Sequence, residues 1–230
     1  MKNINKNYPK VSVIICTLNE EESLPYVLPK IPNWVHEILL VDGHSSDATL
    51  DVARKLCPNI RILCQPGKGK GDALRCGILA ASGEIIVTLD ADSATDPTVM
   101  NNFVETLLNG FDYAKGTRFI KGKTYNKRLH RIVGNLIITL TFDILFFRAF
   151  TDLCSGYNAF WVEKMKNVNI FSADGYENEP LITARITKAG LQIKEVGHID
   201  RGRANGEVKE LPWRQGIKAV KSIIRERFRD

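Results

Sequence analysis

The chain has 230 residues, of which 44% are hydrophobic and 25% are charged, and this is the composition of a globular protein with one continuous core. Its five cysteines include no C-x-x-C pair, so we expect neither a disulfide framework nor a zinc site, and we expect the protein in a reducing cytoplasm. Residues 1–10 are polar, so we do not expect a signal peptide. The net charge of +6 indicates an anionic partner, which can be a nucleic acid, an anionic membrane or a phosphorylated substrate.

Strands and helices are predicted to alternate along the first half of the chain. Apolar runs predict strands at 11–16, 37–41, 60–63, 85–89 and 113–119. Helical patterns fall at 20–28, 47–56, 71–81 and 97–109, and Ser46 or Asp47 is the expected N-cap of the second helix. This alternation is typical of an α/β protein with a mostly parallel, doubly wound sheet flanked by helices. No repeat or linker interrupts it, so we expect a single domain over residues 1–230.

Ligands of such sheets bind at the carboxyl ends of the strands, and polar segments follow four of them, at 17–20, 42–47, 67–71 and 90–92. Asp90 and Asp92 are two residues apart at a strand end, so their carboxylates point the same way. Such a pair suits Mg²⁺ or Mn²⁺, which shares its coordination with the phosphates of a substrate. Most Asp-x-Asp pairs are ordinary strand ends, and only the neighbouring segments strengthen this interpretation.

The segments at 42–47 and 67–71 have the chemistry of a nucleotide site. Asp42 can accept hydrogen bonds from a base or a ribose. Gly67 to Gly71 opens a helix, so its backbone N–H groups, Lys68 and Lys70 can meet phosphate oxygens, although a solvated basic turn explains the same residues. The spacing fits neither a Walker A loop nor the G-x-G-x-x-G of a dinucleotide-binding domain.

The second half of the chain contains two segments suited to a membrane surface. Residues 132–150 are apolar over nearly the length of a bilayer span, but Asp143 and Arg148 exclude a transmembrane helix, so we expect a helix packed half on the core and half on the membrane. Residues 212–230 form a basic amphipathic helix that either lies on an anionic bilayer or docks on the domain with a solvated basic face. Its apolar stripe consists of Trp213, Ile217, Val220, Ile224 and Phe228.

Further polar groups in this half are candidates for an acceptor site. Asp152 begins a turn of small residues that ends at Phe160, and Glu177 and Glu179 precede a helix that runs to about Lys188. These glutamates either complement the helix dipole or take part in catalysis. The basic stretch from Arg201 to Lys209 suits a phosphate, or is simply a solvated charged run.

Together these segments resemble family 2 inverting glycosyltransferases of the GT-A fold, and most of all the polyprenyl-phosphate hexosyl synthases, a group that includes the dolichyl-phosphate mannose synthases. The resemblance covers about residues 10–211, the expected catalytic part. The matching motifs are Val41 to Thr49, Gly67-Lys68-Gly69-Lys70-Gly71, Asp90-Ala91-Asp92, Gly116-Thr117-Arg118-Phe119, Asp152 to Phe160 and Arg203 to Lys209. Three positions depart from the family pattern: Ala94 replaces a frequent Gln, which leaves the third metal ligand open, Asn158 replaces a frequent Arg, and Val208 replaces a Ser.

The resemblance implies metal-dependent transfer of a hexose from UDP- or GDP-hexose to a polyprenyl monophosphate, dolichyl or undecaprenyl, at the cytoplasmic face of the membrane. It implies that Asp90 and Asp92 bind Mg²⁺ or Mn²⁺ and that Asp92, Asp152, Glu177 and Glu179 are the catalytic candidates. The implied nucleotide-sugar residues are Thr17, Asn19, Glu20, Asp42, Ser45, Asp47, Lys68, Gly69, Lys70, Asp90 and Ala91. The implied contacts of the acceptor phosphate are Arg118, Arg131, Ser155, Arg203 and Lys209.

Two other functions remain open. A family 2 transferase can instead add the sugar to a hydroxyl of a glycan or glycolipid, and Asp152, Glu177 or Glu179 is then the candidate base. A nucleic-acid-binding protein would explain the net charge, but it needs a basic patch interleaved with aromatic residues. The basic residues cluster instead around Gly67 and after Arg201, so we do not expect nucleic acid as a partner.

Overall fold

The computed structural model of the chain describes residues 8–119, 129–170, 177–202 and 213–229. Its strands are β1 (Val11–Thr17), β2 (Glu37–Asp42), β3 (Arg61–Cys64), β4 (Ile85–Asp90), β5 (Tyr113–Thr117), β6 (Asn158–Trp161) and β7 (Ile193–Gly197). Its helices are α1 (Leu24–Val27), α2 (Thr49–Leu56), α3 (Lys70–Ala80), α4 (Met100–Leu108), α5 (Leu129–Phe146), α6 (Val162–Met165), α7 (Asn178–Lys188) and α8 (Trp213–Arg227). Short 3₁₀ turns at Leu28–Lys30 and Pro97–Val99 extend α1 and precede α4.

The described strands form one sheet in the order β3-β2-β1-β4-β6-β5-β7. Strands β1 to β4 are parallel to one another, and β7 is parallel to β5, whereas β6 runs antiparallel to both β4 and β5. The mostly parallel sheet predicted from the sequence is therefore confirmed. Neither β7 nor α6 was predicted from the sequence.

Both faces of the central strands are buried, which explains why β1, β2 and β4 read as continuous apolar runs. Along β1, Val13 and Ile15 belong to the cluster that includes Met100 and Phe103 of α4. Ile14, between them, belongs to the cluster on the opposite face, with Ala73 of α3. Alternate residues of one strand thus fill the two layers of the core.

The helices α5, α7 and α8 pack beside the sheet around an apolar cluster of their own. Ile138 and Phe142 of α5 lie in this cluster with Ala184 of α7 and with Ala219 and Ile223 of α8. The buried ion pair between Arg185 Nη2 and Glu226 Oε2, at 3.0 Å, also joins α7 to α8. The C-terminal helix therefore docks on the domain.

Several predicted boundaries are wrong by a few residues. The first helix begins at Leu24 rather than at 20, and the fifth strand ends at Thr117 rather than at 119. The helix predicted from Asp47 begins at Thr49, and its N-cap is Ala48 rather than the predicted Ser46 or Asp47. The Asp47 side chain accepts a hydrogen bond from Thr49 N at 3.0 Å and stays outside the helix.

Candidate active site

The polar residues predicted at the strand ends lie together at the carboxyl edge of β1, β2 and β4. Thr17 is in register with Asp42, and Cys16 is in register with Asp90. Neighbouring strands are about 4.8 Å apart, so these side chains share one edge of the sheet. Loops that leave this edge contain the positive-φ residues Asn19 (54°), His44 (67°) and Ser93 (59°). Backbone in this sparsely populated region is often found at ligand sites.

The loop after β2 is closed around Asp42, which is buried. Its carboxylate accepts hydrogen bonds from the Ser45 hydroxyl and, at 3.0 Å, from Ser45 N. Asn19 joins this loop to the one after β1, since its N donates to Ser45 Oγ at 2.9 Å and its Oδ1 accepts from Ser46 N at 2.8 Å. Three of the residues predicted for the nucleotide-sugar are thus brought together in one polar rim.

Other residues predicted for the nucleotide hold the start of α2. Glu20 N donates to Thr49 Oγ1 at 2.8 Å, and Asp47 accepts hydrogen bonds from Thr49. Burial alone would raise the pKa of Asp47, but the hydrogen bonds from Thr49 outweigh it and lower the pKa. The side chain of Glu21, which was not singled out, accepts from Ala48 N at 2.7 Å. Thr17 Oγ1 is buried and, within the described residues, has no hydrogen-bond partner.

The glycine-lysine loop opens α3 as predicted. Gly69 has a φ of +87°, a conformation that suits glycine, and the helix begins at the next residue. The carboxylate of Asp72 in the first turn accepts a hydrogen bond from Gly67 N at 2.7 Å. The two lysines of the loop differ, because Lys68 is exposed while Lys70 is largely buried among carboxylates.

Lys70 links Asp90, at the end of β4, to Glu179 in the first turn of α7. Its Nζ lies 2.6 Å from Asp90 Oδ1 and 3.2 Å from Glu179 Oε1. Burial by itself lowers the pKa of Lys70, but the charges of Asp90 and Glu179 outweigh it and raise the pKa above its ordinary value. A Cβ at Gly156 would overlap both Lys70 Nζ and Asp90 Oδ2, so the loop before β6 closes directly over this ion pair.

The acidic pair, Asp90 at the end of β4 and Asp92 just after it, has the ligand type that a divalent cation with two protein ligands needs. The Asp90 side chain is 33% exposed, and Asp92 Oδ1 accepts a hydrogen bond from Ala94 N at 3.1 Å. No cluster of three or more His, Cys, Asp or Glu side chains suited to a metal ion occurs among the described residues. Mg²⁺ and Mn²⁺ do not need such a cluster, because one or two carboxylates, waters and substrate phosphates complete their coordination.

The acceptor-side candidates Arg118 and Asp152 form a bidentate ion pair. Arg118 Nε donates to Asp152 Oδ2 at 2.6 Å and Nη2 donates to Oδ1 at 2.8 Å. The Asp152 carboxylate, which is fully buried, also accepts from Arg118 N at 3.2 Å and Cys154 N at 3.0 Å. Burial by itself lowers the pKa of Arg118, but Asp152 outweighs it and raises the pKa. This geometry suits Asp152 for orienting a guanidinium better than for accepting a proton.

The structure separates the two glutamates predicted before α7. Glu179 is buried, and its Oε2 accepts a hydrogen bond from Asn158 Nδ2 at 3.0 Å while its Oε1 faces Lys70. Glu177 lies at the N-cap position of α7, and among the described residues its side chain makes no hydrogen bond or ion pair. Asn158, at the position where the family often has Arg, thus binds a carboxylate of the site.

Two functional candidates were missed from the sequence. Lys115, fully buried on β5, donates to Ser155 O at 2.6 Å and to Asn158 Oδ1 at 3.2 Å, and burial lowers its pKa. His198, just after β7, lies 2.9 Å from Ser155 Oγ through its Nε2. Burial and the nearby charge of Arg118 lower the pKa of His198 to about 4, so the ring is neutral at pH 7. A lysine inside a short apolar strand was a usable signal for Lys115, whereas nothing local distinguished His198.

Some predicted residues cannot be placed. Arg203 and Lys209 lie outside the described residues, and so does the side chain of Arg131. Of the predicted acceptor contacts, the described side chains are therefore those of Arg118 and Ser155.

A broad apolar surface lies on the outer faces of α5 and α8. The exposed apolar side chains of α5 and the turn after it are Val133, Leu136, Ile137, Leu140, Ile144 and Phe147. On α8 and the residue after it they are Ile217, Ile224 and Phe228, while Ala219 and Ile223 face the core. Most of the stripe predicted on the C-terminal helix is thus exposed although the helix is docked. None of the helices among the described residues has the length and apolar character that a bilayer span requires.

Comparison with known proteins supports one family. Residues 12–168 match the model of glycosyl transferase family 2. A dolichyl-phosphate hexose transferase of Haloferax volcanii is 30% identical over 221 residues, which are 95% of this chain and 94% of that protein. A dolichol-phosphate mannosyltransferase of Pyrococcus furiosus is 32% identical over 87% of this chain, which spans 59% of that longer protein.

The fold also matches solved structures. Glucosyl-3-phosphoglycerate synthase from Mycobacterium tuberculosis, crystallised with Mn²⁺, UDP and glucosyl-3-phosphoglycerate, superposes with a TM-score of 0.75 at 22% identity. The match covers 95% of this chain and 80% of that one. It confirms the predicted GT-A fold, and at this identity it shows the fold alone.

Proposed function

Because the chain belongs to glycosyltransferase family 2, we propose that it transfers a hexose from a nucleotide-sugar to a polyprenyl monophosphate and releases a nucleoside diphosphate. The donor is UDP- or GDP-hexose, and it binds along the edge formed by Asp42, Ser45 and the first turn of α3. The H. volcanii relative, named as a dolichyl-phosphate hexose transferase and matched over nearly its whole length, supports this acceptor class.

One observation favours a phosphate acceptor over a hydroxyl. The two buried carboxylates on the acceptor side are both paired with cations, Asp152 with Arg118 and Glu179 with Lys70. A sugar hydroxyl needs a positioned base to remove its proton. A phosphate monoester, whose second pKa is near 6, is already an anionic nucleophile at pH 7. The two buried candidate bases, unlike Glu177, are thus committed to cations, and this suits the phosphate acceptor.

In this proposal the residues of the chain bind the donor and the acceptor and orient them. Asp42, with Ser45 and Asn19, holds the nucleoside, and Arg118, kept in place by Asp152, binds the acceptor phosphate. Arg131, Arg203 and Lys209, whose side chains lie outside the described part of the chain, are proposed as further contacts of this phosphate. Asp90 and Asp92 would hold Mg²⁺ or Mn²⁺, which when bound offsets the charge of the leaving diphosphate. The lowered pKa of His198 keeps it neutral beside Ser155, so that it orients the acceptor loop without adding charge.

A transfer assay tests the reaction. Radiolabelled UDP- and GDP-hexoses are incubated with the full chain and either undecaprenyl phosphate, dolichyl phosphate or alkyl glycosides that offer only hydroxyls. We expect label in the lipid-phosphate product, at a rate that falls as the pH drops below about 6 and the acceptor phosphate becomes protonated. Transfer to the glycosides alone would instead support the hydroxyl-acceptor transferase.

Thermal unfolding tests the donor and the metal site. We expect UDP or GDP to raise the melting temperature, and Mn²⁺ to add a further increment. Asp92→Ala removes a metal ligand and is expected to lose that increment while keeping some stabilisation by the nucleotide. An increment of the same size in the variant would contradict the assignment of Asp92.

We further propose that the protein binds the cytoplasmic face of an anionic membrane through α5 and α8. Arg227 Nε donates to Leu145 O at 2.7 Å, so the C-terminal ends of the two helices are adjacent. The exposed basic residues beside them are Lys218, Lys221, Arg225 and Arg227 of α8 and Arg229, which follows the helix. Apolar side chains flanked by basic ones bind anionic bilayers, with about 1 kcal/mol per basic residue near the surface.

Flotation with liposomes tests this surface. The wild-type chain is expected to float with vesicles that contain anionic lipid and less with zwitterionic vesicles. The double variant Ile144→Ser/Phe147→Ser removes two of the most exposed apolar side chains and should remain in the soluble fraction. Leu79→Ser is the matched control, because Leu79 is 68% exposed on α3, away from these helices. Equal flotation of both variants would refute the assignment.

A further inference from the structure

We propose that Lys70 is a positioning residue that competes with a divalent cation for the Asp90 carboxylate, so that the cation binds well only together with the donor phosphates. The inference rests on the proposed function in one respect, namely that the cation binds both Asp90 and the donor phosphates. The sequence motif by itself assigned this lysine to phosphate oxygens.

The geometry places the ammonium between two carboxylates. Lys70 Nζ is 2.6 Å from Asp90 Oδ1 and 3.2 Å from Glu179 Oε1, and these side chains are 19%, 33% and 6% exposed. Glu179 is fixed by the hydrogen bond from Asn158, so it holds the ammonium from the buried side. Asp90 is the more exposed of the two carboxylates. A metal cation that approaches Asp90 is attracted less strongly, because Lys70 already offsets the negative charge of this carboxylate.

The ammonium of Lys70 lies in a confined space at the start of α3. Lys70 is the first residue of α3, directly after Gly69 with its positive φ. The acceptor-side loop closes over the ion pair, since even a methyl group at Gly156 would overlap Lys70 Nζ and Asp90 Oδ2. A diphosphate bound at the start of α3 offers the ammonium an alternative anion, which would leave Asp90 for the cation.

This arrangement predicts that the site binds a metal more tightly when the ammonium is removed. In Lys70→Met the charge is lost while a side chain of similar length is kept. We expect the affinity of the nucleotide-free protein for Mn²⁺ to increase by about tenfold or more, because Coulomb interactions between charges a few ångströms apart stay large at a partly buried site. A lysine with a merely structural role would leave the Mn²⁺ affinity unchanged or reduce it.

The measurement is a titration of the full chain with Mn²⁺, followed by the electron paramagnetic resonance signal of the free ion, without nucleotide or acceptor. Lys70→Arg keeps the charge and should bind Mn²⁺ within about threefold of wild type. Lys55→Met is the control for net charge, since Lys55 is exposed on α2, and it should agree with wild type within about twofold. Equal or weaker binding by Lys70→Met, or no Mn²⁺ binding by either protein, overturns the proposal.

Glu179→Gln provides a second test if Lys70→Met does not fold, as judged by circular dichroism. With Glu179 uncharged, the ammonium of Lys70 is paired with Asp90 alone of these two carboxylates. The affinity for Mn²⁺ should therefore fall by about threefold or more. An unchanged or higher affinity would also overturn the proposal. Neither titration contains a donor sugar or an acceptor, so failure of the transfer reaction and failure of this inference are distinguished.

Discussion

The substitution Asp152→Asn distinguishes a carboxylate that orients Arg118 from one that acts as a base. Asparagine keeps the size of the side chain but removes the charge. Asp152 is fully buried and accepts hydrogen bonds from Arg118 Nε, Nη2 and N and from Cys154 N. The variant therefore leaves the guanidinium without its main partner, and its remaining carboxylate neighbour, Asp200, is 3.9 Å from Nη1.

The expected loss of stability is large. Removing one partner of a buried ion pair costs about 3–5 kcal/mol. The Arg118 side chain is 21% exposed, and solvent offsets part of the loss, so we expect about 3 kcal/mol. For a chain of this length the melting temperature should fall by roughly 6–12 °C.

Urea unfolding followed by circular dichroism measures this change. Asp51→Asn is the matched control, since Asp51 pairs with Arg54 on the exposed face of α2 and should change stability by no more than about 0.5 kcal/mol. The double variant Arg118→Met/Asp152→Asn removes both charges and should recover part of the loss. Together with the single variant Arg118→Met, it completes a double-mutant cycle that yields the coupling energy. If Asp152→Asn is as stable as wild type yet inactive, the reasoning is refuted and Asp152 is better described as a base.

Three further predictions concern other parts of the site. The pKa of His198 is about 6.5 in the unfolded chain and about 4 in the folded protein, so its contribution to stability is lost as the pH falls from about 6.5 to 4. In urea titrations over this range, wild type should lose about 3 kcal/mol more of its free energy of unfolding than His198→Gln. Parallel curves would contradict the assignment. Gly156→Ala should reduce sugar transfer about a hundredfold by displacing Lys70. Gly134→Ala should retain it, because apart from the adjoining backbone of α5 no described atom lies within 4 Å of the new Cβ, and similar rates would argue against a closed loop. Glu226→Gln removes the carboxylate partner of the buried Arg185 and should cost about 3 kcal/mol and speed proteolytic cleavage of α8. An equally resistant helix would show that apolar packing alone docks it.

Much of the donor half of the site was predictable because it is encoded locally. Asp42, Asp90 and the loop before Lys70 each follow a strand whose apolar run is visible in the sequence. Parallel strands bring their carboxyl ends to one edge, so the convergence of these residues follows from the order of the elements. The register between Thr17 and Asp42 and between Cys16 and Asp90 confirms this convergence.

The acceptor half was less predictable because its partners are distant along the chain. The sequence presented Asp152 and Glu179 as equivalent candidate bases, but their cation partners are Arg118, just after β5, and Lys70, at the start of α3. The burial of Lys115 and His198 likewise depends on β5, β6 and β7 lying side by side. No local pattern specifies such pairs, since they arise only when separate elements pack.

The sequence alone determined the alternation of strands and helices, the family resemblance and the edge of the sheet at which polar residues collect, because apolar periodicity and turn residues act over short distances. Only the tertiary structure decided which charges meet: that Lys70 lies between Asp90 and Glu179, that Asp152 is committed to Arg118, and that α8 docks while most of its apolar stripe stays exposed. The physical reason is that the energy of a charge or an apolar side chain depends on the groups that surround it in space, and these come from segments far apart in the chain.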